Sequence, residues 1–186
     1  MLSSILAQIP WQSPTVDYHA IAPEIVLAAG ICLIILVDLF VSDSKKWVTS
    51  TLTGFVMLAA LVPVLTLAVS DNNVRSLFDG RYVIDEFALT LKALFLIVGY
   101  VVVLLSQNHV EEGDYYQGEY FTLLLTSVTG MVMMASSRDL VSIFVALEML
   151  SIPAYMLAAW RKRDRKSNDA GVKYYLLGVF ASAIML

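Results

Sequence analysis

The chain has 186 residues, of which 59% are hydrophobic and only 15% charged, with a net charge of −4 and a mean hydropathy of +0.75. Soluble domains carry nearer about 25% charge and roughly 45–50% apolar residues, so the class is a membrane protein; the acidic balance also excludes a basic nucleic-acid surface. One cysteine, Cys32, and two histidines, His19 and His109, exclude an intrachain disulfide and a cysteine-ligated cluster, and they leave no basis for a histidine metal site or haem pocket.

The first 20 residues, MLSSILAQIPWQSPTVDYHA, lack a basic n-region and hold two prolines, so they read as an extracytoplasmic lead-in rather than a cleavable signal. Residues 21–186 then form a transmembrane domain of six apolar segments, at 21–41, 47–69, 87–105, 120–136, 140–160 and 170–186. None alternates with a period of two, and lipid-exposed backbone must satisfy its own hydrogen bonds. The fold class is therefore all-α, a polytopic helix bundle.

In the first segment, Pro23 and Glu24 make a sound helix start, and Asp38 sits near the other end; both acids read as structural. The polar stretch 70–86 reads as a linker to the third segment, which carries Lys92 six residues in. Asp85 and Glu86 just before it are its expected ion-pair partners, with a snorkelling or proton-path lysine as the other readings. Met131, Met133 and Met134 in the fourth segment are filler. The turn at 136–139 is so tight that segments four and five are antiparallel neighbours, with Arg138 and Asp139 as an interfacial pair.

The fifth segment holds the chain's most informative residue. Between Asp139 and Arg161, Glu148 is the only ionisable group besides the phenol of Tyr155. An acid at mid-bilayer costs roughly 2.5–3.5 kcal/mol on insertion scales and defaults to a functional role facing protein or water. Low dielectric disfavours a charged carboxylate, and a group near neutrality can take and give a proton. Ser151 and Tyr155 share its helix face, and Pro153 frees the carbonyl of Met149, so water is expected beside it. The bland alternative is an acid that only fixes packing. After the basic run RKRDRK, the sixth segment carries Lys173, following a capping stretch Ser167-Asn168-Asp169. Lys173 is either a snorkelling cation or a proton-path residue. Glu148 lies about 18 Å from its helix's basic end and Lys173 about 6 Å from the same boundary, so direct pairing is not expected. The last run, ASAIML, stops short of a full span without a polar end, which reads as the first part of a longer polypeptide.

Seven basic residues (Lys45, Lys46, Arg161, Lys162, Arg163, Arg165, Lys166) fall on one face and three (Arg75, Arg81, Arg138) on the other. The positive-inside rule makes the first face cytoplasmic, with the N-terminus outside and the 161–169 loop inside. No phosphate-binding loop, dinucleotide fingerprint or nucleophile constellation occurs, so no redox chemistry or ATP hydrolysis is expected in this chain itself.

The stretch from Gly118 to Leu186, above all LEMLSIPAYMLAAW and the Lys-Tyr-Tyr at 173–175, resembles the antiporter-like membrane subunits of proton-pumping NADH:quinone oxidoreductase (respiratory complex I), within them the subunit N branch. APE at 22–24, DLF at 38–40, and Asp85, Phe87 and Lys92 fit as well. The resemblance implies a fold of about fourteen helices with inverted repeats and broken helices, and the cytoplasmic-positive topology suits a bacterial plasma membrane. It makes Glu148 a relay acid and Lys173 an input-path lysine, while the direct lysine partner of Glu148 falls beyond Leu186. It also implies FMN, iron–sulfur clusters and quinone in other subunits of the complex, none in this chain, with other membrane-arm subunits, lipid and protons as partners and no nucleic acid. A multi-subunit cation/proton antiporter or membrane-bound hydrogenase subunit is the alternative. A purely structural membrane subunit is the third reading.

Overall fold

A computed structural model describes residues 16–41, 47–70, 74–112, 117–161 and 163–185. The lead-in up to residue 15, Lys45, Lys46 and Lys162 lie outside the described residues. Among the described residues six helices follow in sequence: α1 (Ala22–Phe40), α2 (Trp47–Val69), α3 (Glu86–Glu112), α4 (Gln117–Ser136), α5 (Leu140–Ala158) and α6 (Arg165–Met185). Between α2 and α3 lies a two-stranded antiparallel hairpin, β1 (Arg75–Leu77) with β2 (Tyr82–Ile84). Among the described residues, α1 to α5 are long and apolar enough to cross a membrane. The charged first turns of α6 keep it below that standard.

Aspartates start three of the helices. Asp85 accepts from the Ala88 amide (2.8 Å), Asp139 from that of Ser142 (3.3 Å) and Asp164 from that of Lys166 (2.9 Å). Each meets amides that the first helical turn leaves unbonded. This corrects the expected start of the sixth helix: α6 begins at Arg165, and Ser167 is not a cap. Its hydroxyl donates to the Ala158 carbonyl (3.1 Å), tying α6 to the end of α5. The third helix also runs to Glu112, past the apolar stretch ending at Leu105. Apolar composition marks where hydrocarbon ends, whereas the backbone ladder continues through the polar-rich residues beyond it, which include no glycine or proline to stop it.

The core lies among the first four helices: Leu27 and Ile34 of α1, Val56, Met57, Ala60 and Val64 of α2, Leu96 and Val103 of α3, and Phe121, Leu125, Val128 and Val132 of α4. The fifth helix packs on α4, and α6 packs on α5. Both seams use glycine. A Cβ on Gly130 would sit 2.5 Å from the Leu150 nitrogen and 2.9 Å from the Ala146 carbonyl oxygen, so the α4 and α5 backbones touch there. Gly171 and Gly178 of α6 admit Ala159 and the hydroxyl end of Tyr155 in the same way. Where lipid is as apolar as the side chains, such close backbone approach is what holds helices together. Pro153 is buried inside a continuous α5.

The hairpin overturns the reading of 70–86 as a bare linker. The Arg81 amide donates to the Phe78 carbonyl (3.2 Å), and Asp79 and Gly80 both take positive φ, 56° and 85°. This is the mirror-image turn that suits the strand twist and favours Asp-Gly. The hairpin is fastened to the bundle. Tyr82 forms an antiparallel bridge with Ser137, the Arg138 amide donates to the Arg81 carbonyl (2.8 Å), and Arg75 pairs with Asp17 (2.8 Å).

Candidate functional site

Glu148 is the ninth residue of α5, about 12 Å along the axis from its first residue and about 15 Å from its last. The Ser182 hydroxyl of α6 is hydrogen-bonded to its Oε1 and also lies 3.1 Å from the Gly178 carbonyl oxygen. The seam leading to this contact is built in steps along two antiparallel helices. Ala159 packs on Gly171, the Tyr155 ring meets Tyr174 and Tyr175 edge-on at 4.8 and 5.9 Å, the Tyr155 hydroxyl fills the notch at Gly178, and Glu148 meets Ser182. The polar face expected at Glu148 and Tyr155 is thus met by α6, with Tyr155 only 8% exposed.

A serine carries one hydrogen, and here it has two acceptors. When Glu148 is ionised, the hydroxyl donates to the carboxylate. When Glu148 is protonated, it donates to Ser182 Oγ, and Ser182 turns its own hydrogen to the Gly178 carbonyl. Both protonation states are bonded without moving the backbone, so the rearrangement between them is one hydroxyl rotation.

Lys173 does not reach this contact. It pairs with Asp169 one turn away (2.5 Å) and is well exposed, and Ser182 lies nine residues, about 13 Å, further along α6.

Lys92 belongs to a different cluster. It is fully buried and pairs with Glu24 of α1, Nζ to Oε1 at 2.7 Å, and not with Asp85 or Glu86. Asp85 is instead the partner of Arg138. That also corrects the expected Arg138–Asp139 pair, since Asp139 turns inward to cap α5. The geometry explains both changes. Side chains at the start of α3 point back over the preceding turn, away from a lysine two turns on, while α1 lies across the bundle from it. Tyr82 of β2 completes the cluster: its hydroxyl donates to the same Glu24 oxygen (2.5 Å), receives Lys92 Nζ (3.3 Å), and its ring centroid lies 5.2 Å from that nitrogen. Burial and the neighbouring Glu24 charge hold the Tyr82 phenol protonated well above the usual range. Among the described residues, no group of three histidine, cysteine, aspartate or glutamate side chains is placed to hold a metal ion.

The participants missed from sequence are Ser182, Tyr82 and the glycines. Ser182 stands in an apolar run 34 residues from its partner, with nothing local to single it out. Tyr82 had a signal, the Asp-Gly pair flanked by apolar and β-branched residues.

Comparison with known proteins matches this architecture. The family profile described as NADH-ubiquinone oxidoreductase chain 4, amino terminus, matches residues 26–135, more than half of the chain. The chain belongs to this family. A second profile, described as NADH:quinone oxidoreductase/Mrp antiporter, TM, takes over at residues 137–186, so the two meet at the tight turn between α4 and α5. NADH-quinone oxidoreductase subunit N of Thioalkalivibrio sulfidiphilus is 31% identical over 170 residues, covering 91% of this chain and 35% of that protein. Subunit N of Anoxybacillus flavithermus is 38% identical over 173 residues, covering 91% and 34%. The structure of respiratory complex I from Thermus thermophilus with bound aureothin contains a chain that superposes with a TM-score of 0.70 at 27% identity, covering 87% of this chain and 34% of that one. The resemblance read from sequence thus holds for this chain. It spans about a third of the length of these curated relatives.

Proposed function

We propose that the chain serves in a proton-translocating membrane-arm subunit of NADH:quinone oxidoreductase, with Glu148 as an intramembrane proton relay. The observation that carries this is the Glu148–Ser182–Gly178 arrangement, an acid in mid-helix whose charged and neutral forms are both hydrogen-bonded. A packing acid needs only one of those forms. Lys173, exposed on the basic side of the seam, is the proposed entry-side cation, and Asp169 holds it there until a proton path draws on it. FMN, iron–sulfur clusters and quinone are assigned to other subunits, and electron transfer there is coupled to the charge on Glu148. The charge bias of the loops supports a cytoplasmic 161–169 loop and an N-terminus outside, in a bacterial plasma membrane by this reading.

The test is Glu148→Gln in the assembled complex. The expected result is loss of proton pumping and of coupled quinone reduction with assembly retained; full pumping in that variant sinks the relay role. The second profile's description names an antiporter alongside the oxidoreductase, which favours one alternative, a subunit of a multi-subunit cation/proton antiporter. Purification decides between them. Flavin and iron–sulfur proteins that copurify with the subunit support the oxidoreductase, and their absence supports the antiporter.

A further inference from the structure

The Lys92–Glu24–Tyr82 cluster takes no part in that relay, and its hydrogen bonding is unfinished. Both donors, Tyr82 and Lys92, converge on Oε1 of Glu24, while Oε2 is buried without a protein partner among the described residues. Ser136, at the end of α4, is fully buried against the Tyr82 phenol, yet among the described residues its Oγ has no hydrogen bond of full geometry. An unmatched buried polar group costs roughly 1–3 kcal/mol. Two such groups in one tightly packed cluster call for a shared partner.

We propose that a resident water molecule is that partner, seated between Glu24 Oε2 and Ser136 Oγ, and that the hydrated cluster is the clamp fixing the hairpin end of the bundle. The chemistry selects water. A cation would face the ammonium of Lys92, an anion the carboxylate of Glu24, whereas water donates to Oε2 and exchanges a hydrogen bond with a hydroxyl. Buried waters in proteins typically make about three such bonds to groups otherwise unsatisfied. The placement gives the clamp its role. Through Glu24, Lys92, Tyr82 and Ser136 it joins α1, α3, the hairpin and the end of α4. One residue on, Ser137 and Arg138 are bridged and hydrogen-bonded to the same hairpin, and Asp139 opens α5. The water therefore sits where four elements of the bundle and the approach to α5 are held in one register.

Two measurements on the assembled complex test this. In a density map that resolves ordered water, a peak is expected within roughly 2.6–3.2 Å of both oxygens; an empty site, or a protein group bonded to Glu24 Oε2, overturns the proposal. The second is Ser136→Ala, read by hydrogen exchange at the Arg138 amide, whose bond to the Arg81 carbonyl spans the clamp. The sign decides. Deleting an orphaned hydroxyl is neutral or stabilising, whereas deleting the anchor of a bridging water loosens what the water holds, so exchange is expected to rise roughly five-fold. Unchanged or slower exchange overturns the clamp. Neither readout depends on proton pumping, so failure here leaves the relay reading intact, and the reverse holds too.

Discussion

Glu24 and Glu148, both part-buried, live in opposite circumstances. Glu24 is met from within the first four helices and the hairpin by a lysine and a tyrosine, and that end of the bundle is closed around it. Glu148 is met, among the described residues, by one serine hydroxyl on a helix that packs on α5 along a seam of glycines and tyrosines. An acid with a fixed opposite charge is held ionised, because protonating it strands the buried lysine and removing the lysine strands the carboxylate. An acid answered by a rotatable hydroxyl has no such commitment. The contrast separates charge used for architecture from charge left free to change.

Breaking the architectural pair should have the largest consequence. Lys92→Met leaves the part-buried Glu24 without its counterion, a loss of up to about 3–5 kcal/mol, while the double change Lys92→Met with Glu24→Gln should recover most of it. Thermal unfolding of the purified subunit measures both; if Lys92→Met folds normally and only pumping fails, the division between the two acids is wrong. Gly130→Ala forces a Cβ against the α5 backbone, where neither neighbour is a flexible side chain, and should cost about 1–3 kcal/mol in the same assay. Ser182→Ala removes the hydroxyl that serves both states of Glu148. The loss of about 1 kcal/mol is expected as a roughly five-fold slower proton translocation with stability nearly unchanged. An equal effect on stability and rate would mean that the hydroxyl merely packs.

The smallest effect concerns Asp139, the cap of α5. Ser142, through its side chain and then its amide, holds this carboxyl below its ordinary value of 3.8. A depressed folded-state value means that the contribution is complete above 3.8 and is lost as pH falls through the lower folded value. Asp139→Asn should keep the cap and erase that acid-side loss, whereas Asp139→Ala should weaken the start of α5 at every pH. Unfolding temperature followed from neutral to acid pH distinguishes the two.

The helices were legible because the bilayer imposes a length and a composition on each span, and the segment at 47–69 is found with those bounds in α2. Glu148 was legible for the same reason, as one acid in an apolar run. Pairings across the bundle were not. The Glu24–Lys92 contact joins residues 68 apart, while Asp85, nearer in sequence, is engaged in capping α3 and pairing with Arg138. Helix ends blurred where hydropathy and backbone bonding part company, as at α3, which continues through seven polar-rich residues past Leu105. The hairpin was within reach, since Asp79-Gly80 is the turn signal; a strongly polar setting between two spans obscured it.

The 68-residue gap between Glu24 and Lys92 also sets an order of events during biosynthesis. The acid emerges first, and because it lies in the opening turn of α1 it can wait in the wet headgroup layer until its counterion is made. The lysine, six residues into α3, must enter oil, and it does so when its carboxylate is already at hand. Exchanging the two residues would invert that schedule, sending the deeper charge into the membrane first and alone, so insertion yield in a translating system should fall even where the finished ion pair is unchanged.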